Sequence, residues 1–132
     1  MPHVYSAVDS LGGHQLVGKG DCVDLVKEYA PGLKGWKASQ WRQGAKVLET
    51  RGLKRGTAIA TFVDGRYPDN KTGQHAAFFL KHAGAAIWVM DQWKNDENKP
   101  RVSKRLIYPG GPVSANTRLS NNAAAFYVIE TK

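Results

Sequence analysis

A single amphipathic stretch followed by a series of short β-rich runs is the feature that most restricts the fold of this chain. The amphipathic stretch is VGKGDCVDLVKEYAPG, and from Gly56 onward the sequence changes to apolar runs bounded by turn-forming residues. Helical sequence first and strands afterwards favour an α+β fold, with N-terminal helices packed on a mostly antiparallel sheet of about five to six strands. The runs are TAIATFV at 57–63, HAAFFLK at 75–81, AAIWVMDQW at 85–93, RVSKRLIY at 101–108 and AFYVIE at 125–130.

The amphipathic stretch predicts a helix whose first turn contains the only cysteine of the chain, Cys22. Apolar side chains recur at helical spacing from Cys22 to Tyr29, with polar side chains on the opposite face. Asp21 is placed to cap the first turn, and Pro31 with Gly32 ends the helix after Ala30.

A second helix is predicted over Ser39 to Leu48. Within this stretch Trp41, Ala45 and Leu48 share a helical face. Gly44 weakens the prediction, because glycine costs about 1 kcal/mol relative to alanine inside a helix.

The chain has 132 residues, of which 42% are hydrophobic, and this content suffices for one modest core. Residues 1–132 are therefore predicted to form a single domain. No run approaches the roughly 18 consecutive apolar residues of a membrane span. The start, MPHVYSAVDSLGG, lacks the basic segment and apolar run of a signal peptide. We expect synthesis in the cytoplasm without a signal peptide, with export open by a route that needs none.

The balance of charges narrows the surroundings in which the protein works. Lys and Arg number 19 against 11 Asp and Glu, a formal net charge of +8. Such a charge indicates a polyanionic partner or an anionic environment, and nucleic acid, a lipid surface and a cell wall remain alternatives. A single cysteine excludes an internal disulfide and multi-cysteine metal sites, which leaves a buried structural thiol or a reactive one.

A reactive thiol needs help, because an ordinary thiol pKa of about 8.5 makes a slow nucleophile at neutral pH. The position of Cys22 at a helix N-terminus supplies part of that help, and an imidazolium would supply the rest. His3 lies near the terminus, His14 in a glycine-rich loop and His82 in a turn between strands. His75 alone opens an apolar strand, where a rigid sheet could hold its ring against the helix end.

A catalytic histidine also needs a partner on its other ring nitrogen, and Asp91 fits that role. If Lys81 to Ala85 forms the turn of a hairpin, His75 and Asp91 face each other on adjacent strands. This register is an assumption, and a slip of one residue would turn one side chain to the other face. The alternatives stay open: Cys22 as a small buried apolar group, His75 as a structural residue and Asp91 as a solvated carboxylate.

These segments resemble the papain-like cysteine peptidases of the NlpC and CHAP type. GDCVDLVKEY resembles their nucleophile signature, GQHAAFFL the strand that begins with glycine and histidine, and AAIWVMDQW the strand with the third polar catalytic residue. The block WRQGAKVLETRGLKRGTAIATF is similar to the helix, glycine and first strand between them. The chain also resembles small one-domain bacterial relatives, some of which are amidase effectors of type VI secretion systems.

The resemblance departs from the family pattern at the histidine and at the acid. Gln74 precedes His75 where those families usually have glycine, and Asp91 replaces a histidine, asparagine or glutamate. Gln92 and Asn95 are alternatives for the third residue. No residue before Cys22 clearly matches the oxyanion-hole glutamine of papain.

The resemblance implies a papain-like fold and a cysteine amidase or endopeptidase that needs no cofactor or metal. Cys22 would attack a carbonyl carbon to form a thioester, His75 would move the protons and Asp91 would orient the imidazole. The backbone N–H of Cys22 is a natural oxyanion donor, and a second donor is expected from the Lys19 to Asp21 loop.

The expected substrates are peptidoglycan stem peptides, whose carboxylates suit a basic protein. Asp21, Gln74 and Trp93 are expected at the cleft. The loop DGRYPDNKTGQ at 64–74 is expected to form one wall, with Arg66, Tyr67 and Lys71 contacting stem-peptide carboxylates.

Type VI export implies action in the periplasm of a target cell, contacts with secretion machinery and a cognate immunity protein. Three alternatives remain at this point. They are a papain-like deamidase or transglutaminase-type toxin acting on proteins, an inactive wall-binding relative, and a basic nucleic-acid-binding module. The last lacks any recognition-helix or aromatic strand motif, so no nucleic-acid partner is expected.

Overall fold

A computed structural model describes residues 2–69, 73–113 and 118–131 of the chain. One α-helix and six β-strands occur in these ranges, joined by loops and short 3₁₀ turns. The helix begins at the predicted cysteine, and each of the five predicted β-rich runs overlaps a strand. The elements are α1 (Cys22–Tyr29), β1 (Arg42–Lys46), β2 (Ala58–Thr61), β3 (Ala76–Ala83), β4 (Ala86–Asp91), β5 (Ser103–Ile107) and β6 (Phe126–Glu130).

The six strands form one sheet in the order β1-β6-β2-β3-β4-β5, and every neighbouring pair is antiparallel. The last strand, β6, inserts between β1 and β2. The neighbours β2, β3 and β4 are buried along most of their length and form the centre of the sheet.

The predicted second helix over Ser39 to Leu48 is wrong. The segment folds as β1, flanked by 3₁₀ turns at Ala38–Gln40 and Val47–Glu49. Gly44 allows the segment to pair closely with β6, since a Cβ at this position would lie 2.7 Å from the carbonyl oxygen of Val128 in that strand. The backbone therefore approaches β6 more closely than a residue with a side chain could, and α1 is the one α-helix in the described ranges.

Alternation along the central strands gives the sheet two apolar faces. Phe78 of β3 packs in a cluster with Leu25 and Val26, the fully buried side chains of α1. The next residue, Phe79, points to the other face and packs in a second cluster that includes Ile87. Because α1 lies against β3, the helix start is held close to the beginning of that strand.

The β3–β4 hairpin has a register different from the one assumed from the sequence. Phe78 pairs with Met90, which places Asp91 opposite Ala77 rather than opposite His75. A bulge between Phe79 and Lys81 then shifts the pairing by one residue before the turn at Gly84. The assumed register is thus wrong by two residues, which keeps His75 and Asp91 on the same face of the sheet as diagonal neighbours.

No helix in the described ranges is long and apolar enough to cross a bilayer.

Candidate active site

Cys22 occupies the first helical position of α1, where the backbone turns out of an extended N-cap at Asp21. Gly20 makes this entry possible: its φ is +91°, and a Cβ there would lie 3.1 Å from the Cβ of Lys94. The expected side-chain cap by Asp21 is wrong, since its carboxylate makes no capping bond and instead lies 3.3 Å from Lys94 Nζ. Cys22 itself is half-buried.

His75 precedes β3 and reaches Asp91 at the end of β4. The Nε2 atom of His75 donates to Oδ2 of Asp91 at 2.8 Å, and both side chains are almost fully buried. The ring lies close enough to the Cys22 thiol for the two groups to shift each other's pKa values. Since Asp91 occupies Nε2, the ring nitrogen that remains for Cys22 is Nδ1. The structure therefore brings together the three residues that the sequence proposed as a catalytic set.

The electrostatics of this set favour an ion pair between sulfur and imidazole. Burial opposes ionisation of Cys22, but the hydrogen bond and charge of His75 outweigh it and lower the pKa of the thiol. Burial likewise opposes protonation of His75, and its bonds to Asp91 and Cys22 raise its pKa to about 9. Between these two pKa values the thiolate and the imidazolium coexist.

Asp91 is surrounded by cations that the sequence analysis did not identify. Its Oδ1 lies 2.8 Å from Lys99 Nζ, and its Oδ2 accepts a bond of 2.9 Å from Arg105 Nε. Burial works against ionisation, yet His75, Arg105 and Lys99 together hold the pKa of Asp91 at about 2. The carboxylate is therefore charged at every pH at which the protein would act.

Arg105 also connects the carboxylate to Ser120 and Asn121, which line the cleft. Its guanidinium donates to the backbone oxygen of Ser120 at 2.9 Å and to Oδ1 of Asn121 at 3.0 Å. One side chain thus bonds to Asp91 and to the turn at residues 119–121.

Trp93 covers the set from one side. Its ring centroid lies 5.8 Å from that of His75, in an edge orientation. Lys99 and Arg105 stack on the indole at 4.8 and 5.0 Å from its centroid. Its Nε1 donates to Asp96, which fixes the ring. This arrangement restricts water at the buried carboxylate and supports the expectation of Trp93 at the cleft.

Tyr67 approaches the nucleophile from a tight turn after β2. Val63 and Arg66 exchange backbone hydrogen bonds around Asp64 and Gly65, both with positive φ, the geometry of a type I′ turn. The chain then returns so that the Tyr67 hydroxyl lies 3.8 Å from Cys22 Sγ. Burial raises the pKa of Tyr67, and the nearby thiolate raises it further, so the hydroxyl keeps its proton.

The set opens into a cleft of about 780 Å³. Cys22 and His75 line it, together with the predicted contact residues Asp21, Tyr67, Gln74 and Trp93. Arg66 lies in the turn, is exposed and is not among the residues that line the cleft, so its contact with substrate stays a prediction. Lys71 lies outside the described residues.

The alternatives for the third residue take other positions. Gln92 directs its amide to the segment before Cys22, and Asn95 lines the cleft with a φ of +65°. In the described part of the chain, no group of three or more His, Cys, Asp and Glu side chains is arranged to hold a metal ion.

Comparison with known proteins gives close matches over nearly the whole chain. A family model described as domesticated amidase effector 2 matches residues 4–129. The type VI secretion amidase effector 2 protein of Salmonella typhi is 46% identical over an alignment of 136 residues. The alignment covers 98% of this chain and 100% of that protein. Domesticated amidase effector 2 of Ixodes scapularis is 38% identical over 115 residues, 86% of this chain and 73% of that protein.

A solved structure matches as well. Type 6 secretion amidase effector 2 (Tae2) superposes with a TM-score of 0.88 at 45% sequence identity, covering 98% of this chain and 95% of that one. The match confirms the expected α+β fold of the papain-like class and the resemblance to small one-domain effectors.

Proposed function

The chain belongs to the domesticated amidase effector 2 family, and from this premise we propose that it is a cysteine amidase that cleaves peptide stems of peptidoglycan. Membership of the family confirms the sequence-based expectation of an amidase effector. The observation that carries the catalytic assignment is the meeting of Cys22, His75 and Asp91 at one cleft.

The first chemical step uses the ion pair. The Cys22 thiolate attacks the carbonyl carbon of the scissile amide, the π electrons move to oxygen and a tetrahedral oxyanion forms. When the oxyanion collapses, the C–N bond breaks and His75 gives its proton to the departing nitrogen, leaving a thioester and a free amine. His75, now neutral, takes a proton from water, which attacks the thioester and releases the carboxylic acid and the Cys22 thiolate.

We assign two donors to the oxyanion. The backbone N–H of Cys22 belongs to the first turn of α1 and has no partner within the helix. The Tyr67 hydroxyl lies 3.8 Å from the sulfur and remains a donor throughout the cycle because its pKa is raised. We assign the role of second donor to Tyr67 rather than to the Lys19 to Asp21 loop, because its hydroxyl is the one beside the sulfur.

The choice of substrate is supported by charge. A net charge of +8 concentrates the protein at anionic envelopes, and Lys94 and Arg105 line the cleft beside Trp93. Stem peptides carry carboxylates that would meet these cations.

The relatives named as type VI secretion effectors support delivery into a target cell, where the periplasm would hold the substrate. We extend the proposal to a cognate immunity protein in the producing cell, which would block the cleft.

The test is digestion of purified peptidoglycan sacculi, followed by mass analysis of the released fragments. Cys22→Ala and His75→Gln should abolish fragment release. His82→Gln is the matched control, because His82 is a half-buried histidine on the far end of β3 that bonds only to the Val47 carbonyl among the described contacts. Activity that persists in Cys22→Ala would overturn the proposal. Release of ammonia without chain cleavage would favour a deamidase instead.

A further inference from the structure

Gln92 is a fully buried polar residue with no part in the catalytic steps proposed above. In the described ranges its amide makes three hydrogen bonds, all to the backbone of the segment that leads into Cys22. Oε1 accepts from the N–H of Val17 at 2.8 Å, while Nε2 donates to the carbonyl of Val17 at 3.0 Å and to the carbonyl of Asp21 at 2.7 Å. A buried side chain with all these bonds directed at one segment specifies the path of that segment.

The bond to Asp21 acts on the peptide unit that carries the oxyanion donor. The carbonyl of Asp21 and the N–H of Cys22 belong to the same planar trans peptide, so they point in opposite directions. Fixing the carbonyl on the Gln92 side therefore fixes the direction of the N–H on the other side. A hydrogen bond to the carbonyl also polarises the peptide and strengthens its N–H as a donor.

We propose that Gln92 is a positioning residue that holds the Asp21–Cys22 peptide so that its N–H stabilises the tetrahedral oxyanion. The proposal rests on the proposed function, because it requires Cys22 to be the nucleophile. It gives Gln92 a role different from that of third catalytic residue, since Asp91 holds His75.

The end of β4 then serves both halves of the reaction. Asp91 is the last residue of the strand and Gln92 follows it, so their side chains point to different sides. Asp91 orients the base, and Gln92 orients the oxyanion donor. One rigid strand end thus sets the distance between the two, as a preorganised site requires.

The segment before Cys22 has other supports, so loss of Gln92 should leave the chain folded. The Asp21 carbonyl also accepts from the N–H of Asp24 at 3.1 Å, and the carboxylate of Asp24 accepts from the N–H of Lys19 at 2.9 Å. Removal of the Gln92 amide would loosen the orientation of one peptide while α1 remains anchored through Leu25 and Val26.

The experiment compares Gln92→Met with a matched control, Asn122→Leu. Asn122 is also buried, and within the described residues it also makes three hydrogen bonds to backbone, with Gly110, Gly111 and Ala124, but it is not among the residues that line the cleft. Three quantities are measured for each variant: the thermal denaturation midpoint, kcat/KM on purified soluble muropeptides, and the rate of Cys22 alkylation by iodoacetamide. Alkylation occurs at a saturated carbon and forms no oxyanion, so it reports the thiolate alone.

Gln92→Met should lower kcat/KM by about 10²-fold while alkylation stays within about threefold of the parent. Both variants should lower the denaturation midpoint by similar amounts, because each loses the hydrogen bonds of one buried amide. Asn122→Leu should nevertheless leave kcat/KM within about threefold of the parent. If Gln92→Met does not fold, Gln92→Asn goes through the same assays, since it keeps a buried amide but withdraws it by one methylene group.

Two results would overturn the proposal: unchanged kcat/KM in a folded Gln92 variant, or equal losses in kcat/KM and in alkylation. The parallel Cys22→Ala variant separates this failure from failure of the proposed function. If Cys22→Ala is inactive and the Gln92 variant is fully active, the nucleophile stands and the positioning role falls. If Cys22→Ala is active, both fall.

Discussion

His75 and Asp91 are joined by a 2.8 Å hydrogen bond although they are not cross-strand partners, since the register places them diagonally across the β3–β4 hairpin. Lys99 and Arg105 reach the same carboxylate. Asp91 therefore neutralises two buried or half-buried cations as well as orienting the imidazole, and loss of its charge has consequences for folding.

We expect Asp91→Asn to destabilise the protein by about 3–5 kcal/mol, because it leaves Lys99 buried without a counter-charge. The double variant Asp91→Asn with Lys99→Met should recover part of that loss, since it removes the stranded cation. Urea denaturation of the two single variants and the double variant measures the coupling. Strictly additive losses would contradict the interaction.

The pH dependence should differ between hydrolysis and alkylation. Amide hydrolysis needs protonated His75 as the acid, so it should fall as pH rises through about 9. Alkylation needs only the thiolate, whose pKa is lowered, and should stay on its plateau there. Iodoacetamide kinetics and muropeptide turnover across the same pH range check this. Parallel alkaline limbs would count against the assignment of His75.

The same raised pKa affects stability. The folded pKa of His75 lies above its unfolded value of 6.5, so its contribution is fully present below 6.5 and is lost as pH rises through about 9. The lowered pKa of Cys22 acts in the opposite direction over this interval, because the unfolded thiol binds a proton that the folded thiolate does not. Since the His75 shift is the larger of the two, the denaturation midpoint of the parent protein should still fall, by less than His75 alone would cause. In His75→Gln that slope should be reduced, and an unchanged slope would mean that another group is responsible.

Lys99→Met should move the alkaline limb of hydrolysis to higher pH. Removal of a cation from Asp91 strengthens the pull of the carboxylate on the His75 proton and raises the pKa of His75. Lys94→Met is the control for a lysine of the same cleft, because Lys94 is half exposed and pairs with Asp21 instead. A larger shift in the control than in Lys99→Met would contradict the geometry.

Tyr67→Phe should reduce kcat/KM by about 10²–10³-fold, the usual cost of one oxyanion donor. The ring would keep its edge contact with Trp41, whose centroid lies 5.2 Å away, so the fold should be preserved. Circular dichroism and alkylation at pH 8.5 serve as controls for folding and for the thiolate. Full activity in Tyr67→Phe would remove the hydroxyl from the mechanism.

Gly44→Ala should destabilise the protein by about 1–3 kcal/mol, since its Cβ would meet the Val128 carbonyl at 2.7 Å and the Glu130 side chain at 2.8 Å. Gly52→Ala is the matched control, because nothing lies within 4 Å of its Cβ position. There the substitution should be neutral or stabilise by up to about 1 kcal/mol. Thermal denaturation distinguishes the two, and equal effects would contradict the close approach of β1 to β6.

The sequence predicted the elements whose burial leaves a periodic pattern. Helix α1 and the strands β2, β3, β4 and β6 carry enough apolar side chains at the right spacing to be recognised. Strand β1 was missed because Arg42–Lys46 is polar and owes its conformation to pairing with β6, more than eighty residues away. From the sequence alone, Gly44 indicates only a weak position in a helix, because its close approach to β6 is not visible there.

For the site, the sequence predicted which residues meet but not how they are supported. Cys22, His75 and Asp91 were found from helix position, strand position and hairpin proximity, and the register error of two residues kept the face correct. Lys99 and Arg105 left no such signal, because lysine and arginine in a loop and on an edge strand are normally solvated. Only the tertiary fold shows that both turn inward to one carboxylate.

Arg105 makes the position of the Asp91 carboxylate depend on the rim of the cleft that Ser120 and Asn121 form. The same guanidinium that bonds to Asp91 also bonds to Ser120 and Asn121, which line the cleft. A ligand wide enough to displace that rim would pull on the carboxylate as well, so under the proposed mechanism a single side chain would adjust both the fit of the ligand and the delivery of the proton. Relatives that change the rim for a different substrate would have to re-establish both properties at once.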